Sequence, residues 1–180
     1  IERMITLETI DTIKQRISIR HYNDKQLTDE DLQTILEAGK QAPIGMSKYK
    51  EMHITVIQDK NILDKFDKQA EIYFKQKNKS LFHNALTGII ISGKPTNYYG
   101  MEYDNGACVL ENMHLAATDI GVGAVYLKGI VEFFDHNEEY LKYLNLPEGF
   151  IPLAGMAFGY PKEDLVIKPK NHTIDITIIK

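Results

Sequence analysis

Leu86-Thr87-Gly88-Ile89-Ile90-Ile91-Ser92 is the stretch on which the fold turns. A short run in which three successive isoleucines leave no polar alternate position reads as a strand covered on both faces. Such a strand needs a packed layer on either side of it. Residues 151–158 form a second apolar strand, stopped by Gly159-Tyr160-Pro161. Residues 52–58 alternate weakly and are rich in β-branched side chains, which predicts a third. Residues 124–127 predict a short fourth.

Helical periodicity fills the intervals. In residues 7–17, Ile10, Ile13 and Ile17 recur at spacings of three and four, one helical face, with Thr6 as a candidate cap. Thr28 followed by Asp31 is a variant capping box, and Leu27 before it can staple to Leu32. Leu32, Ile35, Leu36 and Gly39 then mark a buried stripe that ends at Ala42-Pro43, because proline disfavours helical geometry in the residue before it. Residues 61–79 place Ile62, Phe66, Ala70 and Tyr73 on one face. Asp104 or Asn105 opens a long helix with Leu110, His114, Ala117 and Ile120 in register, closed by Gly121. Residues 133–144 read as broken helix ending before Pro147. In the tail, Ile174, Ile176 and Ile178 alternate as in a strand that needs an edge to pair with. Helices first, then strands separated by helices, predict an α/β or α+β sandwich forming one domain over residues 1–180.

Composition narrows the function. The 180 residues are 43% hydrophobic and 26% charged, with 21 Lys and Arg against 25 Asp and Glu, a net charge of −4. Duplex nucleic acid demands a concentrated basic surface that this balance does not supply. No apolar run approaches the roughly 20 residues of a membrane span. Ile1-Glu2-Arg3-Met4 is polar, so no secretory leader is expected. Cys108 is the only cysteine, which excludes internal disulfides and fits a reducing, cytoplasmic compartment. On an amphipathic helix it is expected to be a small core residue. The six histidines show no metal-ligand spacing. Ser80, Ser92 and His83 lack a nucleophile-elbow context.

Three motifs could carry chemistry. Arg16-Ile17-Ser18-Ile19-Arg20 sets two guanidinium forks and a hydroxyl where helix gives way to extended chain. The fork matches phosphate oxygens, although a helix C-terminus also attracts cations through its dipole. Gly121-Val-Gly-Ala-Val-Tyr-Leu-Lys-Gly129 allows close backbone approach to a flat ligand, or is simply a cap and a strand end. It lacks the order of a dinucleotide-binding turn. Lys168-Pro169-Lys170 is a solvated basic linker or a second cation pair for an anionic ligand.

Taken in order along the chain, these motifs resemble the nitroreductase family of FMN-dependent, NAD(P)H-using oxidoreductases. Arg16 to Arg20 resembles the opening Arg-x-Ser-x-Arg/Lys motif. Residues 27–38 running into Ala42-Pro43, the helix from Asn105 to Ala117, the passage from Gly121 to Gly129, and Gly159-Tyr160-Pro161 with Lys168 and Lys170 follow in the family's sequence. The resemblance implies a central, mainly antiparallel sheet flanked by helices. It also implies a homodimer with flavin sites at the interface and a C-terminal strand reaching the partner subunit. Arg16 and Ser18, with the Ile17 backbone, would contact the FMN phosphate and ribityl chain. Arg20 would approach the pyrimidine edge, and Lys168 and Lys170 would complete the phosphate site. The backbone of Tyr126, Leu127, Lys128 and Gly129 would face the ring, with the Lys128 N–H near flavin N5. Pro43, Ile44 and Ser47 would come from the partner. Ser47 stands where the family often has Asn, and the Gln and Trp that often follow are absent.

The implied reaction takes hydride from NADH or NADPH to flavin N5 and passes it, by a ping-pong mechanism, to a small acceptor such as a nitroaromatic or quinone. Tyr98, Tyr99 and Met101 are candidates for the acceptor side, or for an aromatic loop packed on its own domain. No catalytic side chain is implied, because the cofactor carries the hydride chemistry. The alternatives are a flavin-binding carrier or sensor with little turnover and a specialised, dehalogenase-like reductase.

Overall fold

The computed structural model describes residues 8–164 and 172–180. Its centre is a four-stranded antiparallel sheet in the order β1-β2-β4-β3, with β1 Met52–Ile57, β2 Thr87–Gly93, β3 Gly123–Leu127 and β4 Ile151–Gly159. The isoleucine triplet lies in β2, and every residue of that strand is buried. Side chains alternate across a strand. Ile89 and Ile91 therefore enter one half of the core, whereas Ile90 enters the other.

The first half lies under α2 (Asp29–Lys40) and α4 (Met101–Asp119), where Ile35, Leu110, Met113 and Phe158 are fully buried. The second lies under α3 (Lys60–Tyr73), α5 (Gly129–Asp135) and a 3-10 segment, Glu138–Leu144. Phe66 is its hub, meeting the Phe134 ring edge-on at 5.6 Å between centroids. Burying a side chain of this size stabilises the fold by roughly 1.5–3 kcal/mol.

Local signals explain most boundaries. The Thr28 hydroxyl accepts from the Asp31 N–H at 3.1 Å, as the capping pattern predicts. Gly121, at φ 76°, closes α4 in a Schellman arrangement. Its N–H reaches the Thr118 carbonyl at 3.2 Å, and the Val122 N–H reaches that of Ala117 at 2.8 Å.

Five expectations need correction. α1 spans only Thr9–Gln15, and its expected buried face is exposed, Ile10 at 61% and Ile13 at 47%. Thr12 is its buried residue, so the helix packs through a neighbouring face; Thr6 lies outside the described residues. α3 ends at Tyr73 rather than 79, because Lys75 and Asn78 turn left-handed and the intervening polar run has no apolar face to bury. α4 begins at Met101, three or four residues early. Glu102 fastens that first turn, its carboxylate accepting from the Thr96 hydroxyl at 2.7 Å and the Thr96 N–H at 3.3 Å. Cys108 is exposed, since the buried side of α4 runs through Gly106, Val109, Leu110 and Met113. The tail residues 172–180 form no strand within this chain, and Ile174, Ile176, Ile178 and Ile179 are exposed.

Candidate functional site

Arg16 to Arg20 follows α1 as an extended strip along the outer edge of β3. The Ile19 N–H donates to the Ala124 carbonyl at 2.9 Å, and Ser18 pairs with Ala124 in a parallel bridge. Alternation then turns Ser18 and Arg20 outward, both exposed, and Ile19 inward against Gly123. Ile17 is held from the other side, its carbonyl 3.2 Å from His114 Nε2 on α4. Arg16 is half-buried beside Glu111 on the same helix, 3.6 Å between Nε and Oε1.

The strip's far end is stapled to the turn after β4. Tyr22 forms an antiparallel bridge with Pro161, the Asn23 N–H reaches the Tyr160 carbonyl at 3.0 Å, and the Lys162 N–H reaches the His21 carbonyl at 3.1 Å. The Tyr22 hydroxyl donates to the Ile19 carbonyl, and burial pushes its phenol well above the usual range. Tyr160 in turn donates to Asp31 at the start of α2. The fold thus joins the Arg16 motif to Gly159-Tyr160-Pro161. Between them lies a cleft of about 280 Å³ lined by Ser18, Ile19, Arg20 and His21 on one side and Pro161, Glu163 and Asp164 on the other. Lys168 and Lys170 lie outside the described residues.

Charge gathers at this end. Burial pushes the His83 imidazole below its ordinary value, and Arg20, Lys79 and His21 add to the effect. His83 itself adopts a left-handed backbone at φ 55°.

The third motif element, Tyr126 to Gly129, forms the end of β3 and its turn into α5. Tyr126 is 38% exposed. The Lys128 ammonium donates to the Leu153 carbonyl at 3.1 Å and sits 4.2 Å from the centre of the Tyr103 ring on α4. Its side chain is therefore engaged by the protein.

Pro43, Ile44 and Ser47 occupy a different place. Ile44 is buried, and Pro43 and Ser47 are exposed. The Gly45 N–H donates to Asn105 Oδ1 at 2.9 Å. A Cβ on Gly45 would stand too close to the S atom of Met101, so a larger residue there would have to displace that side chain. Met101 is thus occupied as packing for this loop, while Tyr98 and Tyr99 are exposed beside it, at 56% and 105%. Asn105 and Glu111 are six residues apart on α4, about 9 Å at 1.5 Å per residue. The loop and the Arg16 strip accordingly attach to different levels of one helix.

Sequence reasoning missed Asn105, Glu111, His114 and Tyr103. The one available signal was a histidine in an otherwise apolar stripe. Among the described residues no cluster of His, Cys, Asp or Glu could hold a metal ion, and no helix is long and apolar enough to cross a membrane.

The model of the nitroreductase family matches residues 13–160. The chain belongs to the nitroreductase family. It is similar to the crystal structure of a Bacteroides fragilis nitroreductase with bound FMN, at 30% identity and a TM-score of 0.85, covering 97% of this chain and 100% of that one. A Desulfitobacterium hafniense nitroreductase with bound FMN is 25% identical, with a TM-score of 0.82 and coverage of 98% and 100%. An NADPH-dependent oxidoreductase of Staphylococcus haemolyticus is 30% identical over 174 residues, 89% of this chain and 67% of its own. The nitroreductase architecture of helices on both faces of an antiparallel sheet is the one described above.

Proposed function

We propose that this nitroreductase-family chain, an FMN-dependent NAD(P)H oxidoreductase, works in two half-reactions, accepting hydride from NADH or NADPH and delivering it to a small acceptor such as a nitroaromatic or a quinone. The observation that carries this reading is the Arg16–Arg20 strip, pinned by backbone bonds so that Ser18 and Arg20 face a cleft beside the open end of β3.

The residues present fit the phosphate end of FMN. Arg16 supplies a guanidinium and Ser18 a hydroxyl, the donor types that bind phosphate oxygens. Glu163 and Asp164 line the wall opposite Ser18 and Arg20, so the phosphate belongs at the Ser18 end of the cleft, toward Arg16. In this reading the Ile17 backbone lies along the ribityl chain and Arg20 stands at the pyrimidine edge. The backbone of Tyr126, Leu127, Lys128 and Gly129 faces the ring, and Lys168 and Lys170 complete the anion site. Bound FMN supplies the hydride chemistry itself. Arg20 would stabilise negative charge at the ring edge, and the nearby His83 imidazole is made harder to protonate by burial and its cationic neighbours.

We place the remainder of each site on a second copy, as a homodimer, with Pro43, Ser47 and the backbone of Ile44, whose side chain is buried in its own core, at the flavin of the other copy. The exposed faces of Ile10 and Ile174–Ile179 support such a contact. Tyr98 and Tyr99, exposed near the same loop, fall on the acceptor side, and the protein works in the cytoplasm.

The test is the visible absorption spectrum of the purified protein, repeated anaerobically after NADH and then NADPH. A flavin spectrum that bleaches with either nucleotide and recovers when a quinone is added is the expected result. A flavin spectrum that neither nucleotide bleaches means a carrier or sensor. A chain that takes up no FMN even in excess defeats the proposal.

A further inference from the structure

α4 grips the cationic strip at two points. Glu111 and His114 stand three residues apart and so share one face of the helix. The imidazole is 2% exposed, among the apolar residues of the α2–α4 half of the core. A buried polar ring is costly unless it is hydrogen-bonded. His114 Nε2 lies 3.2 Å from the Ile17 carbonyl, 97 residues away in the chain. A carbonyl oxygen only accepts, so Nε2 carries the proton and the ring donates. Nδ1 faces Glu111 Oε2 at 3.9 Å, beyond hydrogen-bond reach, while the other oxygen of that carboxylate lies 3.6 Å from Arg16 Nε.

Ile17 is the residue between Arg16 and Ser18. Its carbonyl is fixed by α4, and two residues on the Ile19 N–H is fixed by β3. An extended segment tied at both of these points has no freedom to slip or rotate, and a one-residue slip would exchange its two faces. The ties thus dictate that Ser18 points outward and fix where the Arg16 stem leaves the chain. A core leucine at position 114 would fill the same space without tying the strip.

We infer that His114 is a positioning residue for phosphate recognition, holding the Ile17 carbonyl so that Arg16 and Ser18 meet the phosphate in register, with Glu111 bracing Arg16. This rests on the reading of Arg16 and Ser18 as the phosphate donors. It requires no contact between His114 and the cofactor.

The experiment compares FMN with riboflavin, which has the same ring and ribityl chain and no phosphate, by fluorescence titration of the flavin-free full chain. The unmodified protein binds FMN more tightly than riboflavin. His114→Met keeps a flexible apolar side chain with good helix propensity in the core. It raises the FMN Kd about fivefold to tenfold, the effect of losing one hydrogen bond's worth of positioning, and leaves riboflavin within about twofold. His114→Gln, whose amide can donate to the Ile17 carbonyl, recovers most of the difference. Equal loss for both flavins in His114→Met, or no loss for either, overturns the inference and leaves His114 as packing. An unmodified protein that binds FMN no better than riboflavin overturns the underlying phosphate reading and the inference with it.

If His114→Met does not fold, His114→Leu takes its place in the same comparison, and Glu111→Gln gives an independent measurement of the Arg16 brace at an exposed position. A bystander carboxylate repels phosphate, so its removal would tighten FMN. A bracing one loosens FMN about twofold when removed, in keeping with a weak, exposed ion pair.

Discussion

Two of the segments that are candidates to touch a flavin are built in opposite ways. The Arg16–Arg20 strip is tied along its length, to β3 through Ile19, to α4 through Ile17 and to the turn after β4 through Tyr22 and Asn23. Its backbone is ordinary extended chain. The Pro43–Ser47 loop is tied through Gly45 to Asn105, and it carries two successive non-glycine residues in left-handed geometry, Met46 at φ 57° and Ser47 at φ 54°. Such geometry is costly and persists where the surroundings over-determine it. The strip is finished within one chain. The loop, with Met46 61% exposed, is presented outward. Binding strength and loop placement should therefore respond to different substitutions.

The sharpest break is Arg16→Ala. Loss of a charged hydrogen-bond donor weakens FMN binding about tenfold to a hundredfold in a fluorescence titration, a larger effect than on the urea midpoint, since the Glu111 pair is long and partly solvated. Asn105→Ala shows the reverse pattern. It leaves the Gly45 N–H without its acceptor and lowers unfolding stability by about 2 kcal/mol, measured by urea denaturation. Asn105→Asp, which keeps an acceptor oxygen, recovers part of that loss. Equal effects of Arg16→Ala and Asn105→Ala on both readouts would erase the distinction between strip and loop.

A smaller effect sharpens it. Met46→Gly relieves left-handed strain but adds freedom to the unfolded chain, for a net gain of about 0.5 kcal/mol in the same assay. No residue of the strip is left-handed, so Ile17→Gly is expected only to destabilise.

The smallest concerns pH. The His83 imidazole is held below its ordinary value of 6.5 in the folded chain, so the unfolded chain binds the proton more readily. Its contribution to stability is intact above pH 6.5 and is lost as pH falls through the lower, folded value. His83→Asn, at ease in the left-handed region, should flatten that part of the decline between about pH 7.5 and about pH 5 in urea midpoints. A slope unchanged by the substitution would separate His83 from the cationic end of the strip.

Local chemistry made much of this molecule legible from its residues. The isoleucine triplet announced a strand covered on both faces, Thr28 and Asp31 marked the start of α2, and Gly121 marked the end of α4. The cationic strip was readable as a motif for the same reason, since its residues are neighbours in the chain. Where local reading failed, packing had intervened. Ile10 and Ile13 have helical spacing yet face outward, and α4 starts early because Glu102 finds Thr96.

Local patterns in the chain set most strands and helices and which residues carry the charge, because alternation, capping and proline effects act over a few residues. Only the tertiary structure decided what holds those residues in place. His114 reaches Ile17 across 97 positions and Asn105 reaches Gly45 across 60. Neither partner is within the range of any local pattern. Each bond exists because the two core halves, packed against the sheet, bring α4 beside the strip and the loop.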